Sequence, residues 1–384
     1  MKKSRIIYGF CSIILSAILM LTVFTSPTFN NTAVADVKID GVSVQFDAIR
    51  EKIIQRFVDD TTTETQKYTA LERVCVGGFP IGLKLYADGV VIVGTEPIDT
   101  ENGYINTAEK AGIKLGDIIK SINGERVTTN SRVSQIIEES NGDVLTLQVL
   151  RGNELLTFSF NSEFSISEGK FKAGIWVRDS SAGIGTVTFC TSDGYFASLG
   201  HAVCDIDTKD VVPISQGECT DVKLTGYTKG VTGKAGELCG VLESNKTGEV
   251  FYNGDLGVYG RYNEIPSTHT FCVAPMDAVK TGDAYIYTTL ENNVTEKYSV
   301  RINHIDYGNP EHKNLVIEIT DPRLIEKTGG IIQGMSGSPI VQDDMIVGAV
   351  THVLVDNPAQ GYGIFAQTML ENIYTECKKS KIPE

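Results

Sequence analysis

The chain has 384 residues, more than one ordinary domain needs, and its 41% hydrophobic and 21% charged content describe a globular protein with ample core material. A formal net charge of -14, with no cluster of lysines and arginines to offset it, excludes nucleic-acid binding through bulk electrostatics.

The first segment, "MKKSRIIYGFCSIILSAILMLTVFTSPTFNNTAVAD", sets Lys2, Lys3 and Arg5 before an uncharged apolar run from Ile6 to Phe24. That run is long enough to cross a bilayer as a helix, and the basic flank keeps the start inside and sends the rest across. Residues 1–35 are therefore expected to form an uncleaved membrane anchor, with Ala33-Val34-Ala35 as the cleavage site if the segment is instead a removed signal. Residues 36–72 read as a linker carrying a short amphipathic helix over 49–57.

Residues 73–162 form the next block. "VVIVG" at 90–94 reads as a buried strand, and "AEKAGIKLGDIIKSINGERV" gives a short helix, a turn at Gly116-Asp117, a strand and an Asn123-Gly124 hairpin turn. "RVSQIIEES" has helical periodicity, and "VLTLQVLRGNELLTFSF" closes the block with a hairpin. The succession resembles an α+β PDZ domain, the likeness resting on "AGIKLGDIIKSINGERV". It implies a carboxylate-binding loop at Pro80-Ile81-Gly82-Leu83, where a peptide or protein tail adds itself as an extra strand.

Residues 163–384 read as mainly β, with short β-branched and aromatic runs between Gly, Asn and Asp turns until "QTMLENIYTECKK" at the end. Such spacing predicts a sandwich or barrel. Gly334-Met335-Ser336-Gly337-Ser338-Pro339 fits the G-x-S-G-x-P loop of trypsin-like peptidases. Ser336 is then the nucleophile, Ser338 a packing neighbour, and the N–H groups of Gly334 and Ser336 an oxyanion hole. A serine hydroxyl needs a neighbouring base, and His201 in "SDGYFASLGHAVCDID" follows an apolar strand and precedes the serine, the order of this fold. His352, on the next strand, is expected to line the pocket. His269, His304 and His312 are expected in turns and on the surface.

Two aspartates compete for the third place. Asp255 in "NGDLGVYG" opens a strand, and Asp321 in "IEITDPRLIEKTGG" ends one ahead of the serine loop. Eight cysteines, without a CxxC pair, and histidines without ligand spacing give no metal or cofactor site, and the thiols are expected to be idle.

From "AGIWVRDSSAGIGTVTF" through "LGHAVCDID" to "TDPRLIEKTGGIIQGMSGSPIVQDDMIVGAVTHVLVDNPAQGYG" the chain resembles the SpoIVB peptidase family, serine peptidases of sporulation signalling. The resemblance implies an N-terminal membrane helix, a PDZ domain and a trypsin-like double barrel, with a triad of His201, Asp321 and Ser336. It further implies self-cleavage and a membrane-bound regulatory protein as substrate. Cutting that regulator in the forespore intermembrane space would release an intramembrane protease that activates a late sigma factor. Two other functions fit parts of the sequence. One is a membrane-anchored PDZ adaptor with an inactive peptidase-like domain; the other is an HtrA-like quality-control protease, although such enzymes usually place PDZ modules after the protease.

Overall fold

The computed structural model describes residues 37–39, 42–44 and 72–378. The expected membrane segment and the helix over 49–57 lie outside these residues. Val37–Ile39 and Val42–Val44 pair as a small antiparallel hairpin. Residues 1–70 form one unit and residues 71–384 another. Among the described residues no helix is long and apolar enough to cross a membrane.

The larger unit is built on two closed rings of strands. The first ring uses β2 (Pro80–Thr95), β6 (Ile175–Cys190), β7 (Tyr195–Ser198), β8 (Ile214–Thr228), β9 (Glu237–Gly254) and β10 (Gly257–Tyr262). Its pairings run β6–β7–β10–β9–β8–β2 and back to β6. The second ring uses β11 (Gly282–Thr289), β12 (Thr295–Ile305), β13 (Leu315–Ile319), β14 (Pro339–Gln342), β15 (Met345–Val353) and β16 (Gln360–Phe365). It closes as β11–β12–β13–β16–β15–β14. Closure pairs every strand on both sides, which removes the exposed edges an open sheet would carry. Phe196, Val258 and Cys219 fill the first barrel; Ile286, Ile317 and Phe365 fill the second. The strand at Thr270–Val273 links them, pairing with β1 (Arg73–Val76) and in parallel with the start of β15.

A third core lies between β2 and β6. Helices α1 (Thr107–Ala111) and α2 (Asn130–Glu139) pack with β3 (Ile118–Ile122), β4 (Val144–Arg151) and β5 (Glu154–Asn161). Helical spacing along α2 buries Val133, Ile136 and Ile137, and Thr129 caps it by accepting from the Arg132 N–H. The elements agree with the sequence reading, but the boundaries differ. Pro80–Ala87, the first half of β2, pairs with β6 and β8 inside the first barrel, while Val90 and Val91 pair with β3. Ala173, Ile175 and Val177, expected in the barrel, pack on the third core. The helical module is thus inserted between two strands of the first barrel, not placed ahead of it. The chain changes body at Gly89, whose φ of +123° and 2.6 Å clearance from the Ile119 carbonyl for any Cβ exclude a side chain.

One ion pair fixes the inserted module. Asp117 is fully buried, and Arg151 donates to it from Nε at 2.6 Å and Nη2 at 2.8 Å, and from Nη2 to the Gly112 carbonyl at 2.8 Å. Replacing Arg151 by Met leaves a buried carboxylate with only the Lys114 N–H. The expected cost is about 3 kcal/mol, near the low end for a broken buried pair because Arg151 keeps one side in water. A urea melt followed on this module checks it, and an unchanged midpoint contradicts it.

The seven described cysteines are all free. Burial raises the pKa of the Cys190 thiol and pushes Cys219 up to about 11, so both stay protonated.

Candidate active site

The nucleophile loop lies between α3 (Pro322–Thr328) and β14. Gly334 and Gly337 hold φ of +94° and +97°, which other residues reach only with strain. At Gly337 a Cβ would stand 1.9 Å from the Thr186 carbonyl oxygen and 2.6 Å from the Leu199 N, so the loop lies directly on the first barrel. Three hydrogen bonds from β6 pin it: Thr186 N–H to the Ser336 carbonyl at 3.0 Å, Thr186 Oγ1 to the Gly334 carbonyl at 2.7 Å, and Thr188 Oγ1 to the Gly337 carbonyl at 2.8 Å. Neither the Gly334 nor the Ser336 N–H is engaged by a hydrogen bond among the described residues, which leaves both donors open to an anionic oxygen.

Ser336 is partly buried, and its hydroxyl donates to the Thr351 carbonyl at 2.6 Å. Ser338 is fully buried, in keeping with a packing role.

His201 arrives from the other barrel. After β7, Leu199 and Gly200 turn the chain with φ of +64° and +71°. A Cβ on Gly200 would lie 2.7 Å from Thr351 Cγ2, so the histidine turn touches the residue whose carbonyl holds the serine. His201 Nδ1 is 2.8 Å from the Ala202 carbonyl. A carbonyl only accepts, so Nδ1 carries the proton and Nε2 keeps its lone pair, the tautomer a general base needs. Burial lowers the pKa of this imidazole, and the Ala202 hydrogen bond partly opposes that. Its ring lies against His352, centroids 4.9 Å apart.

The residue expected as third member, Asp321, is engaged by other partners than His201. Asp321 caps α3: its carboxylate accepts from the Arg323 N–H at 3.0 Å, the Ser299 N–H at 3.2 Å, and the Arg323 guanidinium at 3.1 and 2.9 Å. The Arg323 guanidinium holds its pKa below the usual carboxylate range. Asp255 is exposed in the turn between β9 and β10, two residues before Gly257, where a Cβ would lie 3.1 Å from the Gly200 N. Neither aspartate is hydrogen-bonded to His201 among the described residues. The structure therefore brings the loops of His201 and Ser336 together and leaves Asp321 in a helix cap.

Sequence reasoning missed Thr186, Thr188 and Thr351. The signal was present in "GTVTF", where alternate threonines share one face of a strand otherwise built of apolar residues.

The carboxylate-binding loop expected at Ile81-Gly82-Leu83 is corrected by the structure. Ile81 and Leu83 are buried, and all three residues pair with β6 on one side, Gly82 and Leu83 also with β8 on the other. Among the described residues Gly82 and Leu83 thus have no open edge to accept a peptide. In the inserted module, Ile175, Trp176, Val177 and Arg178 of β6 pair only with β2 among the described residues. The first N–H of α2 bonds Asp179 Oδ2 at 2.9 Å just beyond them.

Two six-stranded barrels, with a histidine turn from one meeting a glycine-bounded serine loop from the other, define a serine endopeptidase, here carrying an inserted PDZ module. The chain belongs to the SpoIVB peptidase S55 family, whose model matches residues 169–370. A PDZ-domain model matches residues 107–151. Among curated proteins, serine protease HTRA1 of Xenopus tropicalis is 44% identical over 69 residues, which is 16% of this chain and 15% of that protein's length. Among solved structures, the active form of the Rv3671c protease from M. tuberculosis is 14% identical, with 51% of this chain and 75% of that one covered and a TM-score of 0.33. The HtrA-type protease AlgW with decapeptide is 11% identical, covering 52% of this chain and 55% of that one at a TM-score of 0.32.

Proposed function

We propose that this endopeptidase acts in sporulation signalling from outside the forespore cytoplasm, cleaving itself and the exposed part of a membrane-bound regulator. The chemistry is peptide hydrolysis through an acyl-enzyme. Ser336 attacks the carbonyl carbon, His201 takes its proton and returns it to the leaving amine, and the N–H groups of Gly334 and Ser336 receive the oxyanion. The observation that carries this reading is the junction at Thr351, where the nucleophile's hydroxyl and the base's turn meet. Export is supported by the basic start followed by the apolar run at 6–24, and the signalling role by the family. The PDZ module takes a peptide or protein tail at an edge other than Ile81–Leu83. Substrate acylation involves only side chains and main-chain donors of this chain, without metal or cofactor.

Asp321 enters the proposal as the triad acid on the strength of the resemblance. That role requires its carboxylate to exchange Arg323 for the His201 ring in the working enzyme. Asp321→Asn then lowers turnover by roughly 10⁴ while the fold persists, and Arg323→Gln, which removes the guanidinium from the carboxylate, does not lower it. If Asp321→Asn melts earlier yet cleaves normally, and Asp255→Asn is folded and inactive, the acid is Asp255.

The deciding experiment follows the full chain and its Ser336→Ala variant by intact mass over time. Fragments from the parent alone support the self-cleaving peptidase. Intact chains from both, with no cleavage of membrane-protein substrates, favour the adaptor; broad digestion of unfolded casein favours a quality-control protease.

A further inference from the structure

His352 touches the proposed base, yet the reaction as written gives it no task. It directly follows Thr351, whose carbonyl holds the Ser336 hydroxyl. Its ring lies against that of His201 with centroids 4.9 Å apart and planes at 40°. Among the described residues His201 is otherwise tied by one hydrogen bond, from Nδ1 to the Ala202 carbonyl. The ring turns about its Cβ–Cγ bond, one hydrogen bond at Nδ1 restrains that turn only in part, and a second ring packed beside it restrains it further.

We propose that His352 is a positioning residue, its ring holding the His201 imidazole against rotation about the Cβ–Cγ bond. The inference rests on the reading of Ser336 and His201 as nucleophile and base.

The surroundings suit a ring that stays neutral while its neighbour takes a proton. His352 is exposed on its strand, and partial desolvation, then the His201 imidazole and Lys313, lower its pKa to about 4, against the opposing pull of Glu311. Tyr362 of β16 stands opposite it in the sheet, under the Lys313 ammonium. At neutral pH the pair therefore carries no charge, and during acylation His201 alone becomes an imidazolium. Protonating His352 would set a second positive charge against the base and oppose that step.

The test uses the full chain and a small fluorophosphonate. Ser336 Oγ attacks phosphorus, the O–P bond forms, the P–F bond breaks, fluoride leaves, and the hydroxyl proton passes to His201. The saturating labelling rate and the half-saturating probe concentration are measured across the acid limb. His352→Ala is expected to lower the rate by about ten- to a hundredfold with little change in half-saturation, as a misplaced reacting group does. His352→Phe, which keeps a ring, should return it to within about threefold. His352→Lys puts a fixed positive charge beside His201, so it should be slow and its acid limb should move to lower pH. An unlabelled parent would defeat the peptidase reading itself. A labelled parent, with the alanine variant at the parental rate and the lysine variant's acid limb unmoved, overturns the positioning role and leaves that reading standing.

Discussion

Replacing Ser336 or His201 by Ala lowers peptide hydrolysis by about 10⁴ or more, with the fold retained. Both side chains are partly exposed at the seam of the barrels and carry little of the packing, so their loss leaves the core intact. In the proposed mechanism the effect is on the chemistry: without His201 the serine hydroxyl would have no acceptor for its proton, because Thr351 offers only a carbonyl oxygen that cannot hold one. The two residues work as a unit, so the double variant should be no slower than either single one by more than a few fold. Steady-state or single-turnover rates on a cleaved substrate, beside melting curves, check this. A His201→Ala enzyme within tenfold of the parent would remove the histidine from the mechanism.

Gly337→Ala should be the most damaging change in the nucleophile loop. The glycine holds a φ of +97°, and a methyl there would meet the Thr186 carbonyl oxygen at 1.9 Å and the Leu199 N at 2.6 Å. Both obstacles are main-chain atoms of the first barrel, so no rotamer change relieves the clash. Leu199 also begins the turn that carries His201, so relief by backbone movement shifts nucleophile and base apart. The hydrogen bonds from Thr186 and Thr188 would be stretched at the same time. A loss of roughly 3–5 kcal/mol is expected, with activity gone in whatever folded fraction remains. Thermal melts with labelling of the folded fraction measure both. Parental stability would show that the loop lifts away from β6 without cost.

Much of this was legible in the sequence because the relevant residues act locally. The G-x-S-G-x-P loop needs its glycines wherever it occurs, and positive φ at Gly334 and Gly337 is the conformation that pattern encodes. The inserted module was legible through α2 periodicity and the Asn123-Gly124 turn, again short-range signals. What stayed hidden depends on pairing across long separations. "IGLKLYADGVVIVG" reads equally as one strand or as a loop and a strand, and only registers with β6 and β8, far along the chain, put Ile81–Leu83 in a barrel wall. The end of the PDZ module was misread for the same reason: Ile175 and Val177 belong to one strand that serves two bodies. Asp321 shows a different difficulty. A carboxylate before Pro322 is equally suited to cap a helix or to orient an imidazole, and in this structure Arg323, two residues on, has claimed it.

The most direct test of the central claim is to treat the full-length protein and its His201→Ala variant with a fluorophosphonate at neutral pH and map the adduct by peptide mass spectrometry. A single adduct on Ser336 in the parent, and none at comparable rate in the variant, is the predicted result. An adduct on another serine, or equal labelling of Ser336 without His201, would contradict the account.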